Sequence, residues 1–240
     1  MSERIRLGHG SGGALMRGLI DAELRGLYDD PAAPLHDAAV FEPPPGRLAF
    51  STDGYVVQPL EFAGGDIGSL AVIGTANDLA MAGARPLHLS LGLILEEGLE
   101  LSLLRRLVAS MAAAARRCGV SIVTGDTKVV ERGRGDGLLV HTSGIGLVMA
   151  QPPIGPAAIA AGDQLLVSGD LGRHGVAILA ARHGLDLRPP LASDCAPLWP
   201  CVQALLEAGV NPHCLRDLTR GGLASALQEL ADDSGLELQL

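Results

Sequence analysis

Five aspartates, Asp37, Asp53, Asp78, Asp126 and Asp217, sit among small residues at positions that read as loops, strand ends or a helix end. Oxygen ligands of this kind suit Mg²⁺, which takes a few carboxylates and completes its shell with water and substrate phosphates. Soft-metal chemistry would want clustered histidine and cysteine. The four cysteines, Cys118, Cys195, Cys201 and Cys214, form no CxxC pair, and Cys201, His213 and Cys214 match no standard zinc spacing. Of the 18 basic residues, every one but Lys128 is an arginine. A compact ammonium on a phosphate is a need that a guanidinium meets less well; the alternative is chance. Acids plus one lysine read most economically as nucleotide phosphate held through metal ions.

The elements that must position these residues can be read from the pattern. Asp66 to Gly83, DIGSLAVIGTANDLAMAG, reads as one helix, with Asp66 as N-cap and Gly83 just past the end. Its residues are mostly apolar or small, so it expects burial on most of its surface. Asn77 and Asp78 interrupt it one turn before the end. No basic residue lies between Asp66 and Ala84, so Asp78 either faces solvent on a narrow polar stripe or is paired from elsewhere, by a residue or a metal. Arg47 to Ser51 reads as a strand that delivers Asp53 to its end; a turn aspartate is the alternative there. Pro86 to Leu95 is an apolar strand. Leu99 to Cys118 is an amphipathic helix stopped by Gly119.

Val120 to Val123 is a buried strand by pattern, with Asp126 and Lys128 in the loop after it, and Leu138 to Met149 is another strand. His9 to Gly13, HGSGG, is a glycine-rich stretch. Glycines let backbone approach a phosphate, and they also occur in any loose N-terminus. No GxxxxGK[ST] exists in the chain. Pro31 to Pro45 is loop-rich. Gln151 to Ala161, with three prolines and no period, reads as a linker. Beyond it a strand is expected over Gln164 to Ser168, helices to about Arg182, over Cys201 to Ala208 and over Leu223 to Asp233, and half a strand over Leu236 to Leu240.

Composition bounds the function. The 240 residues are enough for one large domain or two smaller ones. A hydrophobic fraction of 48% with only 2% aromatics means an aliphatic core. A net charge of -9 without a basic patch argues against nucleic acid, and no charge-free apolar run is long enough to span a membrane. A cytoplasmic protein is the default.

The motifs, in order, are LGHGSGG at Leu7 to Gly13, the block from Phe50 to Pro86, ILEEGL at Ile94 to Leu99, IVTGDTKVVERG at Ile122 to Gly133, LLVSGDLGRHG at Leu165 to Gly175, and LRDLTRGGLA at Leu215 to Ala224. This set resembles the superfamily of aminoimidazole ribonucleotide synthase and selenophosphate synthetase, and within it the HypE family of hydrogenase maturation factors. The resemblance implies an α+β, two-domain synthase-like fold: an ATP- and Mg²⁺-binding, dimerising domain over 1–150, a linker over 151–162, and the first part of a second domain over 163–240. It implies a homodimer and the carbamoyl dehydratase reaction, in which ATP drives conversion of a cysteine-linked carbamoyl group to thiocyanate as a source of cyanide for [NiFe]-hydrogenase. HypF-like carbamoyltransferase and a HypC–HypD-like scaffold are the implied partners.

Residue by residue, Asp37, Asp53, Asp78 and Asp217 are implied as metal ligands. Asp126 and Lys128 would lie at the phosphates, and Asn77, Thr142 and His9 would line the site, with Asp78, Lys128 and His9 closest to the chemistry. His36, Gly54 and Arg173 depart from residues common in the superfamily. Chains of this family are expected to run on to a substrate-bearing cysteine, so this chain is expected to lack that part. A selenophosphate-synthetase-like or amidine-forming enzyme, and a catalytically incomplete nucleotide-binding scaffold, are the alternative readings.

Overall fold

The structure is a computed structural model that describes residues 4–28 and 36–240; the beginning of the expected loop over Pro31 to Pro45 lies outside them. After a single 3-10 turn over Leu7–Gly10 comes α1 (Gly13–Leu19), continued by a wider turn over Ile20–Leu24. Then come β1 (Leu48–Tyr55), the short hairpin strands β2 (Glu61–Phe62) and β3 (Gly65–Asp66), α2 (Ile67–Met81), β4 (Ala84–Glu96), α3 (Leu101–Cys118), β5 (Ser121–Val130) and β6 (Leu138–Val148). Helices α4 (Arg173–His183), α5 (Trp199–Glu207) and α6 (Gly222–Ser234) complete the chain.

Helix α2 starts where Asp66 predicts. The Ser69 N–H donates to Asp66 Oδ1 at 2.9 Å, and the Asp66 N–H donates back to Ser69 Oγ at 3.0 Å, so two N–H groups that the helix cannot satisfy are paired. Helix α3 ends at Gly119, whose φ of +66° is the left-handed conformation that glycine takes without strain.

The four long strands form one sheet in the order β1-β6-β4-β5. β6 runs antiparallel to both β1 and β4, and β5 runs parallel to β4. Side chains alternate across a strand, and the sequence uses this. Leu89, Leu91, Leu93 and Leu95 of β4 face the core with Leu104, Leu107 and Met111 of α3 and Ile67, Val72 and Ile73 of α2. Among the described residues, no helix packs on the opposite face of the sheet. That face exposes Phe50 (69%), Leu48 and Ile94 around a polar centre in which Thr52 Oγ1 meets His141 Nε2 at 3.1 Å and Ser143 Oγ at 2.9 Å.

Two expected boundaries are corrected. β1 runs on to Tyr55 and β5 to Val130, so Asp53, Asp126 and Lys128 lie inside strands rather than in loops at their ends. Pairing explains it. Asp53 stands opposite Thr142 on β6, and Asp126 and Lys128 stand beside Gly92 and Ile94 on β4, and these ladders hold the backbone extended past the polar residues. The expected strands over 164–168 and 236–240 are absent from the ladders. Leu165, Leu166, Val167 and Leu240 stay exposed, since a strand exists only where another strand pairs with it.

Candidate active site at the end of helix α2

Ser51, Asp53 and Tyr55 are alternate residues of β1, so all three point to the face that α2 covers. Ser51 Oγ donates to Asp78 Oδ2 at 2.8 Å. The partner that the sequence demanded for Asp78 is therefore in the first place a neutral hydroxyl. Asp217 comes to the same place from the connection between α5 and α6. Burial raises the Asp78 carboxyl above the ordinary range; the Ser51 hydrogen bond opposes this, the Asp53 charge adds to it and Arg216 opposes it. Asp217 is raised for the same reason, by burial first and then by the Asp78 charge, with Arg216 opposing and Asp53 adding. Arg216 itself donates to Glu229 at 2.7 Å, and Arg220 stands 3.8 Å from Asp53 Oδ1.

Three carboxylates from three separate segments thus share one half-buried place with too little positive charge. Among the described residues no group of three or more acidic, histidine or cysteine side chains is drawn together closely enough to hold a metal ion. The donor type still fits a hard divalent cation, because all are oxygens and their mutual repulsion is what such a cation would offset. Asp37 stays apart. It is exposed in the connection ahead of β1, and no hydrogen bond or ion pair among the described residues ties it to the other acids.

Under the acids lies a buried hydroxyl chain that sequence reasoning missed. Tyr55 Oη meets Thr75 Oγ1 at 3.2 Å, Thr75 Oγ1 meets Thr142 Oγ1 at 2.5 Å, and Thr142 Oγ1 reaches the Ala71 carbonyl at 3.4 Å. Burial pushes the Tyr55 phenol up; the Thr75 hydrogen bond opposes this, and the Asp53 and Asp78 charges add to it. Thr142 is only 1% exposed, so its side chain has no surface to offer a nucleotide. It ties α2 to β6 beneath the acids. The signal was available, since the two-residue period from Asp53 reaches Ser51 and Tyr55.

Asn77 is tied to backbone in this structure. Its Nδ2 donates to the Ala196 carbonyl at 3.0 Å, and its Oδ1 accepts from the Leu198 N–H at 2.8 Å. Both ends of the amide are spent on backbone of the segment that leads into α5.

Asp126 and Lys128 are elsewhere. Lys128 Nζ is 2.8 Å from Asp126 Oδ2, and this ammonium holds the Asp126 carboxyl below the usual range. Both are exposed on β5, the far edge strand, and both lie on the helix-free face, Asp126 in a row with Gly92, His141 and Gly54 and Lys128 in the next row with Ile94 and Leu139. Asp53 sits on β1, the opposite edge, and on the helix-covered face. Three interstrand spacings of about 4.8 Å put the two groups roughly 14 Å apart.

The glycine-rich stretch lies on the β5 side. A side chain at Gly10 would meet the Val129 backbone nitrogen at 2.6 Å, so this loop packs directly against the strand that carries Lys128. His9 Nδ1 accepts from the Arg6 N–H at 3.0 Å, and burial followed by the Arg6 charge keeps its ring pKa low. The ILEEGL motif explains how the loop gets there. Ile5 and the Gly98–Leu99 backbone exchange hydrogen bonds of 2.8 and 2.9 Å, and Glu96 accepts the Gly133, Gly135 and Gly137 N–H groups. That motif anchors the loop and the turn after β5.

Comparison with known proteins gives the family. Residues 35–148 match the family model of the AIR synthase related protein, N-terminal domain, and residues 160–240 match its C-terminal domain. The chain is 51% identical to the carbamoyl dehydratase HypE of Rhodobacter capsulatus, over 98% of this chain and 70% of that protein. It is 47% identical to the carbamoyl dehydratase HypE of Escherichia coli K12, over 98% and 72%. A solved structure of the hydrogenase maturation protein HypE in complex with ATP superposes with a TM-score of 0.91 at 49% identity, covering 95% of this chain and 68% of that one. A HypE–HypF complex matches with a TM-score of 0.75 at 40% identity, covering 93% and 71%.

Proposed function

The chain belongs to the HypE family of AIR synthase related proteins, and from that premise we propose that it is a carbamoyl dehydratase of hydrogenase maturation, working with ATP and Mg²⁺. The observation that carries the reading is the gathering of Asp53, Asp78 and Asp217 from three separate segments, in a family whose solved relatives include an ATP complex. A triphosphate brought to those acids would be repelled, and a divalent cation, which Asp53, Asp78, Asp217 and Asp37 would hold, would offset that charge. Bound Mg²⁺ supplies charge neutralisation at the transferring phosphoryl group.

The substrate is a cysteine-linked carbamoyl group, R–S–C(=O)–NH₂. Its oxygen forms a bond to the γ-phosphorus as the bond to ADP breaks. Loss of that oxygen with phosphate, and of both nitrogen protons, leaves R–S–C≡N, whose cyanide goes on to [NiFe]-hydrogenase. The chain's part is to orient the phosphate, to keep Asp78 in place through Ser51, and to set a point charge on phosphate through Lys128, itself held by Asp126, with the His9 loop beside it. The organisation that follows is an ATP-binding, dimerising domain over 1–150, a linker over 151–162 and a second domain from 163. A HypF-like carbamoyltransferase is the partner suggested by the relatives' complex, and a HypC–HypD-like scaffold would take the product. No helix among the described residues is long and apolar enough to cross a membrane, and the reading is of a cytoplasmic enzyme.

One chain cannot offer Asp78 and Lys128 to the same nucleotide, because they lie on opposite faces and opposite edges of the sheet. A homodimer removes the conflict of edges, and the change of face is then spanned only around the open β1 edge. Two helix-free faces stacked about a two-fold axis parallel to the strands bury Phe50, Leu48 and Ile94, and set the β5 edge of one copy over the β1 edge of the other. Mixing Lys128→Met with Asp78→Asn protein then tests it. Each variant alone should be inactive, while random mixing should restore about a quarter of wild-type turnover, because each heterodimer has one intact site. No recovery from two inactive variants would mean that both residues act within one chain.

The chemistry is tested with ATP, Mg²⁺ and an S-carbamoyl-cysteine peptide labelled with ¹⁸O in the carbamoyl group. The label should appear in inorganic phosphate as a nitrile band grows in the infrared. Retention of the label in the peptide would overturn the reading.

A further inference from the structure

Helix α2 presents two different faces in its last turns. Asp78 faces β1. Asn77 and Ala80, three residues apart on the same side, face α5. Ala80 packs with Trp199 and Val202, and Met81, Leu206 and Leu215 lie against this cluster. Asn77 is 8% exposed, and its two hydrogen bonds reach residues 119 and 121 positions away in the chain. A carbonyl accepts only from a donor, and an N–H donates only to an acceptor. Of the side chains of this size, only a primary amide answers both the Ala196 carbonyl and the Leu198 N–H.

We propose that Asn77 is a positioning residue, a latch that sets the second region on α2 so that Asp217 stands beside Asp78. The path is short and continuous. Asn77 fixes Leu198, Leu198 leads into Trp199 and α5, and Leu215 returns to the same apolar cluster two residues before Asp217. Other contacts also tie the two regions together, such as the 2.8 Å bond from the Ser193 N–H to the Ala63 carbonyl. Asn77 is the one adjacent in sequence to an acid of the site. The inference rests on the reading of Asp78 and Asp217 as the phosphate and metal site.

Trp199 is the chain's single tryptophan, and it is buried one residue after the N–H that Asn77 holds. It reports on the latch independently of activity. In Asn77→Ala, Trp199 emission should shift to the red and acrylamide quenching should rise, with the far-UV circular dichroism kept. Asn77→Asp is close to isosteric but sets an oxygen against the Ala196 carbonyl, and it should do the same. ATP-dependent turnover should fall by roughly 10- to 100-fold, the scale of a misplaced catalytic group. In an Asp217→Asn background the same change should cost less than about 2-fold, because residues that act through one another are not additive.

Unchanged tryptophan emission in both variants would overturn the latch. A shifted emission with fully additive losses would overturn the positioning role, since general loosening does not depend on Asp217. An Asp217→Asn variant that keeps full turnover while the emission still shifts would instead overturn the site reading on which the proposal stands.

Discussion

Asp78→Asn is expected to abolish ATP-dependent turnover while raising the melting temperature of the metal-free protein. The two effects have one cause. Burial and the Asp53 charge keep the Asp78 carboxyl above its ordinary value, and the Ser51 hydrogen bond and Arg216 only partly oppose them. A carboxyl raised in the folded state contributes stability that is present below the ordinary carboxylate range and is lost as the pH climbs through the raised value. At neutral pH the ionised form is therefore a cost to folding, and asparagine removes it. The Ser51 hydroxyl at 2.8 Å can still donate to an amide oxygen at this position.

A gain of about 1 kcal/mol would raise the melting temperature by roughly 2–4 °C in a chain of this size. Turnover should fall on the order of 100-fold or more, because charge neutralisation at the phosphate supplies several kcal/mol. Calorimetry in EDTA and in Mg·ATP separates the two. In EDTA the variant melts above the wild type, and the gap narrows as the pH is lowered. In Mg·ATP the order reverses, because only the wild type gains the binding energy of the ligand. A variant that melts lower in EDTA, or that still turns over, would show that Asp78 is a structural group. Such a trade of stability for charge is usual where a site gathers like charges for a ligand.

The acids were legible in the sequence as chemical types but not as neighbours. Asp53 and Asp126 look alike there, each a few residues after an apolar run and followed by glycine or threonine. The sheet order β1-β6-β4-β5 sends them to opposite edges, and the register sends them to opposite faces. Alternation along one strand specifies which residues share a face. It does not specify which strand comes next, because that depends on contacts between residues far apart in the chain. Local signals fared better. Asp66 caps α2, Gly119 ends α3, and both follow from backbone chemistry within four residues.

Asn77 marks the limit of reading by type. Beside Asp78 in a small-residue helix it reads only as a polar interruption, and its place in the site came from the family resemblance. Its partners are backbone atoms of Ala196 and Leu198, and a backbone atom leaves no trace in a pattern of side chains. The place of Thr142 was hidden for a related reason. A hydroxyl in a strand reads as polar surface until the helix packed over it, here α2 with Thr75 and Ala71, is known.

Gly74→Ala is the second substitution with a large expected effect, and two principles disagree about its sign. In an exposed helix interior alanine is favoured over glycine by roughly 1 kcal/mol. At Gly74 the added methyl group would overlap the Tyr55 hydroxyl oxygen and lie 3.0 Å from Cε1 and Cζ of the same ring. That ring is buried, and its hydroxyl is held by Thr75 at 3.2 Å, so it has no open space to turn into. Overpacking of this kind costs about 1–3 kcal/mol, which outweighs the helix preference. The variant should melt several degrees lower, at about 2–4 °C per kcal/mol. Its turnover should fall as well, because relief of the overlap lifts α2 from β1 and carries Asp78 away from Ser51 and Asp53. Tyr55→Phe is the discriminating background. Removing the hydroxyl takes away the deepest overlap and leaves the Thr75–Thr142 bond of 2.5 Å in place, so Gly74→Ala should cost distinctly less there, in melting temperature and in turnover alike. A single Gly74→Ala variant that melts above the wild type would mean that α2 does not pack on Tyr55, and the alignment of Asp78 with Ser51 would fall with it.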